Sequence, residues 1–255
     1  MTYERSLAST FLELSELARN LSSELQRPLV VHDKGGDAFD PVTALDRDIE
    51  QAMRAFLLAR FPDDGVWGEE AGWSNKTAKR HWSIDPVDGT RALICGLPSW
   101  CVLVGLIDDK RHIAGMIDCP SLDERLLAID GATTRNGMAA ATSGCAAVAG
   151  ARLATTDPFL FEGAEVDAFG AIRAAVLLTR FGLDALAYAR VATGDVDLVV
   201  ESGLKRHDLD ALVPVVRGAG GYVGDWLGGE DWDGGRIVAA ASRALYEETV
   251  ELLSR

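Results

Sequence analysis

The hexapeptide Asp85-Pro86-Val87-Asp88-Gly89-Thr90, directly after the apolar run Trp82-Ser83-Ile84, is the tightest constraint on what this chain can become. Two carboxylates leave one strand end together. Pro86 stiffens the turn and removes a donor, while Gly89 permits a close backbone approach and frees amides that can hold a phosphate at the start of a following helix. Asp85 and Asp88 can thus converge on a hard divalent cation such as Mg²⁺, which takes oxygen ligands and touches substrate phosphate. The same six residues also fit an Asp-rich turn that caps a helix for purely local reasons.

Apolar periodicity places the surrounding elements. Leu7, Phe11, Leu14, Ala18 and Leu21 form the stripe of an amphipathic helix, predicted to cover a sheet. Leu45, Ile49, Ala52, Met53 and Phe56 predict a second helix that ends before Phe61-Pro62, with Asp46 in its first turn. Short strands are expected at 82–84, 101–107, 112–117 and 125–129, and after a Gly- and Ala-rich stretch at 131–150 a strand at 196–200 and a helix at 209–216. This mixture predicts layered sheets and helices in a single domain over 1–255, with a soft division into two α/β halves near 131–150.

At 255 residues the chain is long enough to bury a large core without a staple. Its formal charge of −14 repels a nucleic-acid backbone, so no nucleic-acid partner is expected. No window approaches the roughly 20 apolar residues of a membrane helix, and an amphipathic stretch follows Met1 to Arg5 where a signal would be apolar. A cytoplasmic protein with no membrane partner is expected. Cys95, Cys101, Cys119 and Cys145 lack C-x-x-C spacing and read as buried free thiols. His32, His81, His112 and His207 show no metal-ligand spacing.

Other acids sit at informative points, each with a local explanation beside the functional one. Glu69 and Glu70, after Gly68 and the apolar Val66-Trp67, repel one another unless a cation intervenes or both are solvated. Asp208 heads the helix carrying Leu209, Leu212, Val213 and Val216, where any acid suits the helix dipole. Asp46 fits an ordinary first-turn acid, and Glu201 a strand-end residue.

An acidic pair after Gly, then D-P-x-D-G-T, then a late Asp about twelve residues before Gly220-Gly221 is a pattern that resembles the inositol monophosphatase family over nearly the whole chain. The resemblance implies a layered αβαβα sandwich (α/β, α+β) with the site between its halves, and a homodimer. It implies that Glu69, Asp85, Asp88, Asp208 and the backbone carbonyl of Val87 bind two or three Mg²⁺ ions, and that Gly89 and Thr90 hold phosphate. Thr90, paired with Asp46, would help Glu69 orient and deprotonate a metal-activated water for in-line attack on a small phosphate monoester. Lys34, in Lys34-Gly35-Gly36, matches a basic residue of the family. With no histidine near Thr90 in sequence, a covalent nucleophile is unnecessary.

Within the family the chain is most similar to the histidinol-phosphate phosphatase branch, through Asp88-Gly89-Thr90-Arg91-Ala92, Gly96-Leu97-Pro98-Ser99-Trp100 and Glu201-Ser202-Gly203-Leu204-Lys205. Asp184 stands where that branch carries Asp and inositol phosphatases carry a small residue. Carboxylates at Asp184 and Glu201, with Arg91 beside the phosphate loop, then form the expected substrate-binding set, because histidinol phosphate carries a cationic amine. Trp100 is a further candidate for the pocket wall. Four positions depart from the branch: Leu183, Leu186, His207 and Asp210. Alternatives are an inositol 1-phosphate, sugar or nucleotide phosphatase of the same superfamily, or a metal- and phosphate-binding protein without catalysis.

Overall fold

The strand Cys101–Asp108 is buried along nearly its whole length, so the sheet holding it needs cover on both faces. Its side chains divide by parity, as the pleat dictates. Val102, Val104 and Leu106 enter one apolar cluster, and Cys101 and Leu103 another.

The structure, a computed structural model, describes residues 3–25, 29–35 and 41–254. Along them run α1 (Tyr3–Ser23), β1 (Val31–Asp33), β2 (Pro41–Thr43), α2 (Ala44–Arg60), β3 (Gly65–Gly68), β4 (Gly72–Ser74) and β5 (Arg80–Asp88). There follow α3 (Thr90–Cys95), β6 (Cys101–Asp108), β7 (Arg111–Cys119), β8 (Glu124–Ile129), β9 (Ala132–Arg135) and β10 (Met138–Ala139). The chain continues with β11 (Arg152–Thr155), α4 (Ala164–Ala175), β12 (Leu178–Phe181), α5 (Ala185–Ala192), β13 (Leu198–Glu201), α6 (Arg206–Gly218), β14 (Tyr222–Asp225), β15 (Ile237–Ala240) and α7 (Arg243–Leu253). Met1 and Gly36 lie outside the described residues.

Among the described residues an eight-stranded sheet orders its strands β10-β9-β8-β7-β6-β5-β3-β4, with only β3 and β5 parallel, a five-stranded sheet runs β12-β11-β13-β15-β14, and β1 and β2 form a separate antiparallel pair. Leu7, Phe11, Leu14 and Ala18 of α1, with Leu45, Ile49, Met53 and Leu57 of α2, cover one face of the first sheet. Helices α5 and α6 fill the space between the sheets, and α4 and α7 close the far face of the second. The result is the five-layer αβαβα sandwich. Residues 131–150 carry the chain from β9 and β10 towards β11.

Helix α6 lies directly on the first sheet because Gly105 and Gly115 have no side chain. A Cβ on either would stand 2.5 Å from the carbonyl oxygen of Asp210 or Ala211 respectively. This contact also explains where Asp210 points. Two residues turn a helix by about 200°, so Asp210 faces the sheet while Asp208 faces the opposite side. His112 Nε2 lies 2.8 Å from its Oδ1, and the departure at Asp210 is a buried helix-to-sheet pair, not a change in the cleft.

Several expected elements are longer than the apolar stripes suggest, with α1 starting at Tyr3 and α2 reaching Arg60. The hexapeptide differs more. Strand β5 continues through Asp88, with a register irregularity between Asp85 and Asp88 against β6. Pro86 sits at that irregularity, where a missing donor costs the ladder nothing. Of the thiols, Cys101 and Cys119 are buried, but Cys95 is exposed and Cys145 half-buried, which corrects the expectation of four buried thiols. Among the described residues no helix is long and apolar enough to cross a membrane.

Candidate active site

Asp85 and Asp88 reach the cleft from the end of β5, and Asp208 from the first turn of α6. One oxygen from each of the three lies within 4.8 Å of the others. Burial raises the pKa of Asp85 well above the usual carboxylate range, and the nearby charges of Glu69, Asp88 and Asp208 raise it further. Asp88 is raised likewise by burial and by Asp184 and Asp208. Buried like charges at this spacing are unfavourable alone and suit a hard cation, so the all-oxygen donor set fits Mg²⁺.

The helix that supplies Asp208 also shows why its local role and its place in the cleft coexist. Asp208 Oδ2 accepts from the Lys205 amide at 2.9 Å while the Asp208 amide donates to the Lys205 carbonyl at 3.2 Å, and this leaves Oδ1 to face the cleft near His207 Nε2 at 3.3 Å. Asp46 does the same on α2. Its Oδ2 accepts from the Thr43 amide at 3.0 Å and from the Thr43 hydroxyl at 2.5 Å, and its Oδ1 takes the Thr90 hydroxyl at 3.2 Å. Thr90 Oγ1 also lies 3.0 Å from the Val87 carbonyl. Asp46 therefore touches the cleft only through Thr90.

Glu69 follows β3, its amide bonded to the Ile84 carbonyl at 3.2 Å, so the acidic turn is tied to the residue before Asp85. Its carboxylate meets Lys34 Nζ at 2.7 Å, and Glu70 meets the same ammonium at 2.5 Å. Burial opposes ionisation of Glu69, but the Lys34 hydrogen bond and charge outweigh it and hold the carboxyl below its usual range. Glu70, with burial dominant, is raised.

Gly89 has φ 82°, a conformation that favours glycine, and a Cβ there would stand 3.0 Å from Asp184 Oδ2. Asp184 itself has φ 47° and ψ −139°, a strained conformation for a residue with a side chain. That backbone aims the Ala185 amide at Asp88 Oδ2, 2.6 Å away. Burial pushes the Asp184 pKa up to about 6, with Arg91 opposing the rise and Asp208 adding to it. Glu69, Asp85, Val87, Asp88, Gly89, Thr90, Arg91, Asp184 and Asp208 all line one cleft of about 270 Å³, with Thr156, Leu160, Lys205 and His207.

Two expected wall residues stand elsewhere. Trp100 is buried and borders a separate groove beside Leu97 and Pro98, because it packs in the α1–α2 core under α3. Glu201 lies beneath the wall: its Oε1 accepts from the Thr156 amide at 2.7 Å and the Thr156 hydroxyl at 3.0 Å, and Oε2 from Thr155 at 3.2 Å. Sequence reasoning missed Glu50, Arg54 and the Ala185 amide. Glu50 and Arg54 follow Asp46 at i+4 and i+8 on the same helix, a spacing that marks one face.

Burial pushes the Glu201 pKa from 4.5 up to about 7 despite those three hydrogen bonds. A raised carboxyl stabilises the fold fully below its unfolded pKa and loses that contribution as pH rises through the folded one. Between pH 5 and 8 the metal-free Glu201→Gln variant is therefore expected to gain about 3 kcal/mol relative to wild type. Parallel melting curves for the two proteins across that range would contradict this.

Comparison with known proteins agrees with the architecture. The family model described as the inositol monophosphatase family matches residues 7–255. The chain is 38% identical over 229 residues to the chloroplastic bifunctional phosphatase IMPL2 of Arabidopsis thaliana, covering 85% of this chain and 66% of that protein. It is 31% identical over 238 residues to a histidinol-phosphatase of Chlorobaculum parvum, covering 92% and 91% of the two chains. An inositol monophosphatase structure from Zymomonas mobilis superposes with a TM-score of 0.89 at 36% identity, covering 100% of both. With residues 7–255 matched by the family model and its full length superposed at 36% identity, this chain belongs to the inositol monophosphatase family of phosphatases.

Proposed function

We propose that this chain is a Mg²⁺-dependent phosphomonoesterase whose substrate is L-histidinol phosphate, cleaved to histidinol and phosphate in histidine biosynthesis. The observation that carries the reading is the meeting of Asp85, Asp88 and Asp208 within 4.8 Å in a cleft that also holds Asp184. Asp85, Asp88, Asp208, Glu69 and the Val87 carbonyl would hold the metal. Bound Mg²⁺ supplies a lowered water pKa and neutralises charge on the attacking and leaving oxygens.

The chain's own groups do the rest. Thr90 donates its hydroxyl hydrogen bond to Asp46, so the Thr90 oxygen is left to accept from the attacking water, while Glu69 takes a proton from that water. Gly89 and Thr90 hold the phosphate against the strand end. No side chain bonds to phosphorus, so as the water oxygen bonds to phosphorus the P–O ester bond breaks in a single in-line displacement, and the departing alkoxide takes a proton from solvent to leave as the alcohol.

Asp184 supports an amine. With a pKa of about 6 its carboxylate is mostly ionised at neutral pH, and it lies on the cleft wall against Gly89, which would hold the phosphate. A substrate ammonium gives it a partner that a hydroxyl cannot match. The second reading is inositol 1-phosphate, favoured by the full-length likeness to the Zymomonas mobilis protein.

Side-by-side kinetics with Mg²⁺ decide between them. The expected result is a kcat/KM for L-histidinol phosphate at least about 100-fold above that for inositol 1-phosphate. The reverse order would keep the hydrolytic chemistry and overturn the substrate.

A further inference from the structure

Strand β3 ends at Gly68 and β4 begins at Gly72, so the turn 69–71 carries Glu69 at its start and leaves the amides of Glu70 and Ala71 outside the ladder. Both amides donate to one buried carboxylate. Glu50, 1% exposed on α2, accepts from the Glu70 amide through Oε2 at 2.7 Å and from the Ala71 amide through Oε1 at 3.0 Å. Its own place is set by Arg54, one helical turn on, which donates to Glu50 Oε1 at 2.8 Å. Arg54 also reaches the carbonyls of Val66 and Gly72 and the Ser74 hydroxyl, so one ion pair spans both strands of the hairpin.

Gly68 completes the fit. A Cβ at this position would stand 2.2 Å from Glu50 Oε1, so the glycine is a cradle for that carboxylate and its backbone needs no left-handed φ. Asp46 and Glu50, four residues apart on α2, each hold one side of the cleft. Asp46 holds Thr90, and Glu50 holds the turn that presents Glu69.

We infer that Glu50 is a positioning residue for phosphate-ester hydrolysis: its carboxylate, seated in the Gly68 cradle, fixes the 69–71 turn so that Glu69 faces Asp85. This rests on the proposed role of Glu69 in metal holding and proton transfer. Glu50 lines no part of the cleft and acts only through the backbone of the turn.

The test uses Glu50→Gln, Gly68→Ala, Glu50→Ala and the Glu50→Ala/Gly68→Ala double variant, with Glu69→Gln as a reference. Glu50→Gln keeps the shape but loses one acceptor; Gly68→Ala keeps Glu50 but pushes its carboxylate from its seat. Measured well below each melting temperature, both are expected to lower kcat by roughly 10- to 100-fold with KM within about threefold. Calorimetry with Mg²⁺ alone is expected to show roughly tenfold weaker binding in both.

Gly68→Ala is expected to add nothing in the Glu50→Ala background, where the truncated side chain leaves room for the new methyl. A purely structural role would lower the melting temperature and leave kcat and Mg²⁺ affinity within about twofold of wild type; that result, or additive losses in the double variant, overturns the inference. Full turnover and Mg²⁺ binding by Glu69→Gln would instead overturn the role given to Glu69, whatever the Glu50 variants do.

Discussion

Replacing Asp88 by asparagine is expected to abolish phosphate release without unfolding the protein. The substitution keeps volume, and the asparagine carbonyl still accepts from the Ala185 amide that now meets Asp88 Oδ2 at 2.6 Å. What it removes is charge at the point where Asp85, Asp88 and Asp208 converge. Changing a group that merely supports a ligand costs about 10- to 100-fold, so if Asp88 holds the metal directly, as proposed, its change is expected to cost more than roughly 100-fold in kcat.

Stability moves the other way. The Asp88 pKa is raised by burial and by Asp184 and Asp208, so its ionised form weighs against the metal-free fold. The metal-free variant should melt no lower than wild type, and the rise in melting temperature on adding Mg²⁺ should shrink. Unchanged turnover would remove Asp88 from the metal set. A large fall in metal-free melting temperature would contradict the electrostatic reading.

Asp184→Asn is expected to separate the substrates. Asparagine has nearly the shape of aspartate, so the strained backbone that aims the Ala185 amide is expected to be kept while the charge is lost. Leaving a substrate ammonium without its buried partner costs about 3 kcal/mol, or roughly 100-fold in kcat/KM for L-histidinol phosphate. Inositol 1-phosphate, which brings hydroxyls, should change by less than about threefold. Equal losses for both substrates would make Asp184 a support for Asp88 and not a specificity group.

The residues of the cleft were more legible than their supports. Asp85 and Asp88 announce themselves by sharing one rigid strand end, and Gly89, read in sequence as permitting a close backbone approach, has a positive φ that favours glycine. Asp46 and Asp208 are ambiguous in sequence because a first-turn acid caps a helix with one oxygen. The structure has each do so and turn its other oxygen elsewhere, Asp46 to Thr90 and Asp208 to the cleft.

Glu50 left no comparable mark, since a glutamate inside an amphipathic helix normally reads as solvated surface and only the fold brings the 69–71 turn over it. The same limit applies to Glu201 and Trp100. Their positions near the motifs are visible in sequence, but which way a side chain points from a short buried strand or a loop depends on packing. Four-residue strands such as β11, β13 and β15, buried on both faces, carry no alternation from which the order of the second sheet could be read.

Metal-dependent hydrolysis stands or falls with the release of phosphate from L-histidinol phosphate by the purified, chelator-stripped protein, followed as Mg²⁺ is added back. No turnover is expected without the ion and saturable recovery with it, in parallel with Mg²⁺ binding measured on the same protein. Undiminished turnover in excess chelator would contradict it.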